Sequence, residues 1–213
     1  VKIAIIGAGN VGGTLGKGWA KKGHEVFFGV RRPQDPEIQD LLKAAGAGAR
    51  AGSPAEAATF GEVVVLATPW QATEAAVKSA GDLSGKILID CTNPLKADLS
   101  GLEIGHTTSG GEQVAGWASG AKVFKAFNTT GSNIMAAPVI QGIPTVMFVC
   151  GDDAAAKLRV LQLASELGFN PVDAGPLKQA RLLEPWALLW IYLAFNGSVG
   201  RDYGFALLPR SKG

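Results

Sequence analysis

Three glycines, Gly7, Gly9 and Gly12, stand in G-x-G-x-x-G spacing, and the pair Arg31-Arg32 follows about 20 residues on. Together these describe a loop that binds a dinucleotide. Gly7 permits a tight turn, and Gly9 has no Cβ to keep its backbone from a pyrophosphate. From Asn10 and Val11 onward, a helix offers unpaired N–H groups and a positive dipole end to the anion. A loop selective for NAD ends its second strand on an acidic residue that holds the ribose 2′-hydroxyl. Here the chain reads Gly29-Val30-Arg31-Arg32. A carboxylate would repel a 2′-phosphate, whereas a guanidinium donates charge-assisted bonds of about 1.5–3 kcal/mol each. One such bond amounts to a roughly ten- to hundredfold preference for NADP. The competing reading of the two arginines is a solvated turn ahead of Pro33.

Two further loops carry small polar groups beside a proline. Thr68-Pro69-Trp70-Gln71 follows one apolar run, and Cys91-Thr92-Asn93-Pro94-Leu95 follows the next. A proline stiffens such a loop and removes a donor that a stacked ring could not satisfy. Thr68 and Asn93 are candidates to face the ribose and nicotinamide, and Ala126-Phe127-Asn128-Thr129, after a third run, would approach the same region. Ordinary turn residues are the alternative for all three. No nucleophile–base set and no metal cluster stands out. His24 lies in a turn before a strand, and His106 lies in a polar loop. Reducing a carbonyl calls for a proton donor at the reacting oxygen, but passing a hydride between two stacked rings does not. The expectation is therefore a site without a catalytic side chain, in which the protein supplies proximity and orientation.

These loops need strands to end on. Apolar runs at Val1–Ile6, Glu25–Val30, Val63–Ala67, Lys86–Asp90, Val123–Ala126, Thr145–Val149 and Pro171–Asp173 read as strands. Helical patterns near Asn10–Lys22, Pro36–Ala45, Gln71–Ala80, Gly111–Ser119, Ala154–Leu167 and Ala180–Gly200 alternate with them, and Thr107–Gly111 reads as loop. Gly12, Gly16 and Ala20 form a column of small residues that lets the first helix lie close to its strand. The pattern predicts an α/β, Rossmann-type, doubly wound, mostly parallel sheet with helices on both faces. Residues 1–178 form the NADP-binding domain, and residues 179–213 form a C-terminal helical appendage packed on it.

The 213 residues are enough for one substantial core, and a net charge of +2 gives neither a nucleic-acid footprint nor a polybasic membrane patch. Cys91 and Cys150 sit at strand ends without metal-ligand spacing and read as buried, reduced thiols. The chain enters its first strand without a signal-like segment, so the expected location is cytoplasmic. Leu182–Phe195 is strongly apolar but short of the ~20 residues of a spanning helix, and it carries Glu184 and Pro185. It reads as a helix with Pro185 in its first turn, packed between the domain and something else. Its stripe Trp186, Leu189, Trp190 and Leu193 suits a core or a dimer seam.

Taken in order, IIGAGNVGGTLGKGWAKKGHEVFFGVRRP, VVVLATPWQAT, ILIDCTNPL, SGGEQVAGWASGAKVFKAFNTTG, VMFVCGDD and RLLEPWALLWIYLAF span nearly the whole chain. They resemble the coenzyme F-420-dependent NADP oxidoreductase family, whose relatives include the cytosolic NADPH-binding domain of the STEAP metalloreductases. The resemblance implies hydride transfer between NADPH and a deazaflavin stacked on the nicotinamide, and a homodimer. It puts the pyrophosphate on Gly9-Asn10-Val11 and the 2′-phosphate on Arg31 with help from Arg32. The nicotinamide would lie between Thr68-Pro69, Asn93-Pro94 and the Ala126 region, in a cleft bounded by the Trp70 loop and the Leu182–Phe195 helix. The chain departs from the family in having Val30 where a serine commonly precedes the arginines, and in the general dehydrogenase form Gly7-Ala8-Gly9. Two alternatives stand beside this reading: an NADPH-dependent flavin or ferric reductase, and a nucleotide-sensing module without chemistry. An imine or β-hydroxyacid reductase fits less well, because little chain follows Pro176 to build the longer helical domain of those folds.

Overall fold

The computed structural model describes all residues except 198, 209 and 211–213. In chain order the elements are β1 (Lys2–Ile6), α1 (Asn10–Lys21), β2 (Glu25–Gly29), α2 (Pro36–Ala45), β3 (Ala49–Gly52), α3 (Pro54–Phe60), β4 (Val63–Leu66) and α4 (Trp70–Ala80). They continue with β5 (Ile87–Asp90), α5 (Gly110–Trp117), β6 (Lys122–Lys125), α6 (Ser132–Ala136), β7 (Val139–Ile140), β8 (Ile143–Pro144), β9 (Val146–Gly151), α7 (Ala154–Glu166), β10 (Asn170–Asp173), a short 3-10 turn (Leu177–Gln179) and α8 (Ala180–Phe195).

Eight strands form one sheet in the order β10-β9-β6-β5-β4-β1-β2-β3, and β7 and β8 form a separate hairpin. Every neighbouring pair in the large sheet is parallel except β6 and β9. The fold is thus the Rossmann-type, mostly parallel α/β sheet that the alternation of elements predicts. Strand alternation sorts β1 between two cores. Ile3 and Ile5 join Leu15, Trp19, Phe28 and Phe127 on one face. Ala4 and Ile6 join Val64, Leu66, Trp70 and Leu88 on the other. Burial on both faces is why these strands read as continuous apolar runs.

Several elements differ from the sequence reading. The edge strand β3, the helices α3 and α6 and the β7–β8 hairpin are additional. Helix α5 starts at Gly110, inside the stretch read as loop. The last helix ends at Phe195 rather than Gly200, and Pro185 lies inside it rather than in its first turn. The chain enters α8 at Ala180 through the 3-10 segment, so Pro185 falls in the second turn, where it forgoes the hydrogen bond to the Arg181 carbonyl. Residues 198, 209 and 211–213 of the predicted appendage lie outside the described residues. No helix among the described residues is long and apolar enough to cross a membrane.

Candidate functional site

The strand order reverses between β1 and β4, and ligands of open parallel sheets lie at that switch point, beyond the strand carboxyl ends. Backbone bonds continue past the strands there. Gly7 N donates to Gly29 O at 3.1 Å, Ala67 N to Ile6 O at 2.9 Å, Cys91 N to Leu66 O at 3.0 Å and Ala126 N to Asp90 O at 3.2 Å. The loops carrying Arg31, Gly9, Thr68, Asn93 and Asn128 are thereby set side by side along one edge. With strands ~4.8 Å apart, the edge from β2 to β6 runs ~19 Å, the scale of an extended dinucleotide.

The glycines of the loop divide by what holds them. Gly7 has φ +99°, and a Cβ on it would sit 2.6 Å from Ala67 O. A Cβ on Gly12 would run into the Gly7 carbonyl, and one on Gly16 would lie 2.8 Å from Ile5 Cδ1. The protein's own packing requires all three: Gly7 for the turn, and Gly12 and Gly16 for the close approach that the small-residue column predicts. Gly9 is different. Its φ of −72° suits any residue, and a Cβ built on it meets nothing within 4 Å. It is also the N-cap of α1, whose first turn has no side-chain cap and no acidic residue. Helix α5, by contrast, is capped by the Ser109 side chain. Asn10 beside Gly9 is exposed, and Val11 is half-buried.

Arg31 and Arg32 are both exposed beyond β2. Arg32 Nε pairs with Asp35 Oδ2 at 3.1 Å. Arg31 makes no ion pair or side-chain hydrogen bond among the described residues. The structure therefore distinguishes two arginines that their positions in the sequence could not.

At the other end, Asn93 and Asn128 meet. Asn93 Nδ2 donates to Asn128 O at 2.9 Å, and Asn128 Nδ2 donates to Asn93 Oδ1 at 3.0 Å and to Leu183 O at 3.3 Å. Asn128 Oδ1 is buried without a donor among the described residues. Between Ala126 and Asn128, Phe127 holds a left-handed backbone at φ +57°, an outlier for an aromatic residue. Its N–H donates to Met147 Sδ at 3.0 Å, and its ring packs edge-on to Trp19 at 5.6 Å. The core beneath thus holds a strained turn in place. Pro94 and Ala126 are buried, whereas Thr68 is half-buried and bonds Thr73 Oγ1 at 3.2 Å. Pro69 caps α4, and the Trp70 ring is buried against Trp117 with centroids 5.5 Å apart. An open groove lies between residues 98–100 and α8, lined in part by Pro185, Leu189 and Tyr192.

A cluster that the sequence reading missed lies directly under the Asn93 and Asn128 loops. Lys125 Nζ sits 2.6 Å from Asp90 Oδ2, 2.9 Å from Glu184 Oε1 and 2.8 Å from Thr92 O, and all three charged side chains are fully buried. Glu184 also accepts from Gly110 N and Gly111 N, both at 2.9 Å, and so caps α5 from α8. Asp90 Oδ1 accepts from Thr92 N and Thr92 Oγ1. Burial alone would depress the Lys125 ammonium, but Asp90 and Glu184 outweigh it and raise it to about 12. The available signal was a charge inside an apolar run, as in Phe124-Lys125-Ala126 and Leu183-Glu184-Pro185.

His24 Nε2 meets Glu166 Oε2 at 2.7 Å, on the turn that leads into β2 at the opposite end of the sheet. His106 is exposed in its loop with φ +63°. Cys91 and Cys150 are free and buried; burial pushes the Cys150 thiol up to about 12, and burial followed by the Asp90 charge pushes Cys91 up as well. Among the described residues, no group of three His, Cys, Asp or Glu side chains could hold a metal ion.

This strand order, with a glycine loop and an open helix terminus at its switch point, places the chain in the class of Rossmann-type folds that bind dinucleotides there. Residues 2–94 match the family described as NADP oxidoreductase, coenzyme F420-dependent. The crystal structure of a candidate F420-dependent NADP reductase from Arthrobacter sp. FB24 superposes with a TM-score of 0.89 at 34% identity, covering 98% of this chain and 99% of that one. The chain belongs to the F420-dependent NADP oxidoreductase family. It is also similar to rat metalloreductase STEAP3, at 30% identity over 183 residues, and spans 36% of that relative's length. A reductive aminase from Aspergillus terreus, solved in complex with NADPH4, cyclohexanone and allyl amine, superposes with a TM-score of 0.66 at 21% identity over 92% of this chain and 62% of that one, which shows the shared fold alone.

Proposed function

We propose that this chain binds NADPH along the carboxyl edge of the sheet and passes its hydride to a deazaflavin ring stacked on the nicotinamide. The observation that carries the reading is Gly9, a glycine that neither backbone conformation nor packing requires, at the uncapped start of α1. A backbone left bare beside free N–H groups suits the close approach of a pyrophosphate. Gly7 and Gly12 shape that turn, and Asn10 and Val11 supply its N–H groups. Arg31 takes the 2′-phosphate, with Arg32 assisting from its pair with Asp35. Thr68, Pro69, Asn93, Pro94, Ala126 and Asn128 wall the nicotinamide end, and the Trp70 ring supports that wall from beneath. Bound NADPH supplies the hydride, and the chain orients the two rings and excludes water.

The likeness to a metalloreductase favours a second reading, in which a flavin takes the acceptor position. The outward apolar residues of α8, Leu182, Trp186 and Leu189, support the homodimer that accompanies the leading reading.

The 2′-phosphate assignment is tested by titrating NADPH and NADH into wild type, Arg31→Ala and Arg32→Ala. Arg31→Ala should weaken NADPH roughly ten- to hundredfold, the value of one charge-assisted bond, and leave NADH nearly unchanged. Arg32→Ala should cost less, because Asp35 already occupies its guanidinium. Equal losses for NADPH and NADH would remove the assignment.

A further inference from the structure

The buried cluster around Lys125 is not charge-balanced. Asp90 and Glu184 set two carboxylates against one ammonium, and solvent reaches none of the three. The positive end of α5, at Gly110 and Gly111, offsets part of the excess. Among the described residues, neighbouring cations do not complete the balance: Arg181 is matched by Glu112 at 2.7 Å, and Lys157 by Asp173 at 2.8 Å. A net negative charge therefore remains beneath this end of the edge. Its members adjoin the loops there, because Asp90 leads into Cys91-Thr92-Asn93, Lys125 leads into Ala126, and the Leu183 carbonyl beside Glu184 accepts from Asn128.

We infer that this buried negative charge makes the site prefer the oxidised, positively charged nicotinamide ring over the neutral reduced ring, so that the chain makes bound NADPH a stronger hydride donor. The inference rests on the dinucleotide reading above. In the transfer, a C–H bond of the reduced ring breaks, and both of its electrons go into a new C–H bond on the deazaflavin or flavin acceptor. The donor ring is left with one positive charge, and the acceptor takes its balancing proton from water. A buried site amplifies the attraction between that charge and the cluster, because little solvent screens it. For a separation on the order of 10 Å at an effective dielectric near 20, with the helix end offsetting up to about half, the preference is roughly four- to fifteenfold.

The test is to titrate NADPH and NADP⁺ separately into wild type, Glu184→Gln and Asp90→Asn, and to compare the ratio of the two dissociation constants. Each variant removes one carboxylate charge but keeps an oxygen acceptor, for Gly111 in one case and for Thr92 in the other. The two variants disturb different contacts, yet both should shift the ratio roughly fifteenfold toward NADPH, because each removes a whole unit charge whatever the helix end offsets. Loss of affinity for both nucleotides at an unchanged ratio would overturn the inference and leave the cluster a positioning role only. If wild type bound neither nucleotide, the dinucleotide reading itself would fail and the inference with it, an outcome distinct from an unchanged ratio in a protein that binds both.

Discussion

Replacing Gly9 by valine is expected to weaken NADPH binding more than ~100-fold while lowering the melting temperature by only ~2–4 °C. The side chain enters open space, so the fold loses little beyond the poorer cap at α1, on the order of 1 kcal/mol. The ligand loses close approach, and two charge-assisted bonds at about 1.5–3 kcal/mol each account for the binding loss. Gly12→Val makes the contrasting case. Its side chain would collide with the Gly7 carbonyl and with Ile5, so binding and stability should fall together. Calorimetric titration and thermal melting of the two variants separate a glycine kept for a ligand from one kept for packing. A Gly9→Val protein that binds NADPH like wild type would remove the pyrophosphate assignment.

Lys125→Met should have the largest effect on stability. The substitution fits the stem of the lysine but leaves Asp90 and Glu184 buried without their counter-charge, a situation that costs about 3–5 kcal/mol. For a chain of this size the expected fall in melting temperature at neutral pH is roughly 6–20 °C. In wild type the lysine makes this stabilisation depend on pH. The folded-state value of Lys125, about 12, lies above the ordinary lysine value of 10.5. Its stabilisation is therefore fully present below about pH 10.5 and is lost as pH rises through 12. A Lys125→Met protein that melts with wild type would show that the cluster does not fasten these loops.

The contrast between Gly9 and Lys125 also shows what a chain reveals before it folds. The glycine loop is local in sequence: a strand, a turn and a helix follow one another within the first 21 residues, although Gly7 also packs against the distant Ala67 carbonyl. The meeting of Asn93 with Asn128 was legible because both close strands of one parallel sheet, and such sheets gather their loops at one edge. Strand β3, Ala-Arg-Ala-Gly, carries no apolar pattern, and its pairing with β2 sets its conformation. Helix α3 did carry a signal, the S-x-x-E capping box at Ser53 and Glu56 with Pro54 between, but it is only seven residues long. The start of α5 also carried a local signal, Ser109 three residues ahead of Glu112, which the two glycines between them obscured, and Glu184, more than seventy residues away, completes its cap. The same distance hid the charged cluster. Asp90, Lys125 and Glu184 come from two strands and a terminal helix, and only the fold brings the three together.

Oxidation of NADPH by the purified chain, followed in parallel with deazaflavin, FMN, FAD and buffer alone, tests the central claim most directly. Rapid turnover with deazaflavin and little in buffer is the predicted result. Turnover confined to the flavins would shift the acceptor to the second reading. Silence with every ring acceptor, in a protein that still binds NADPH tightly, would contradict hydride transfer and leave a nucleotide-sensing module.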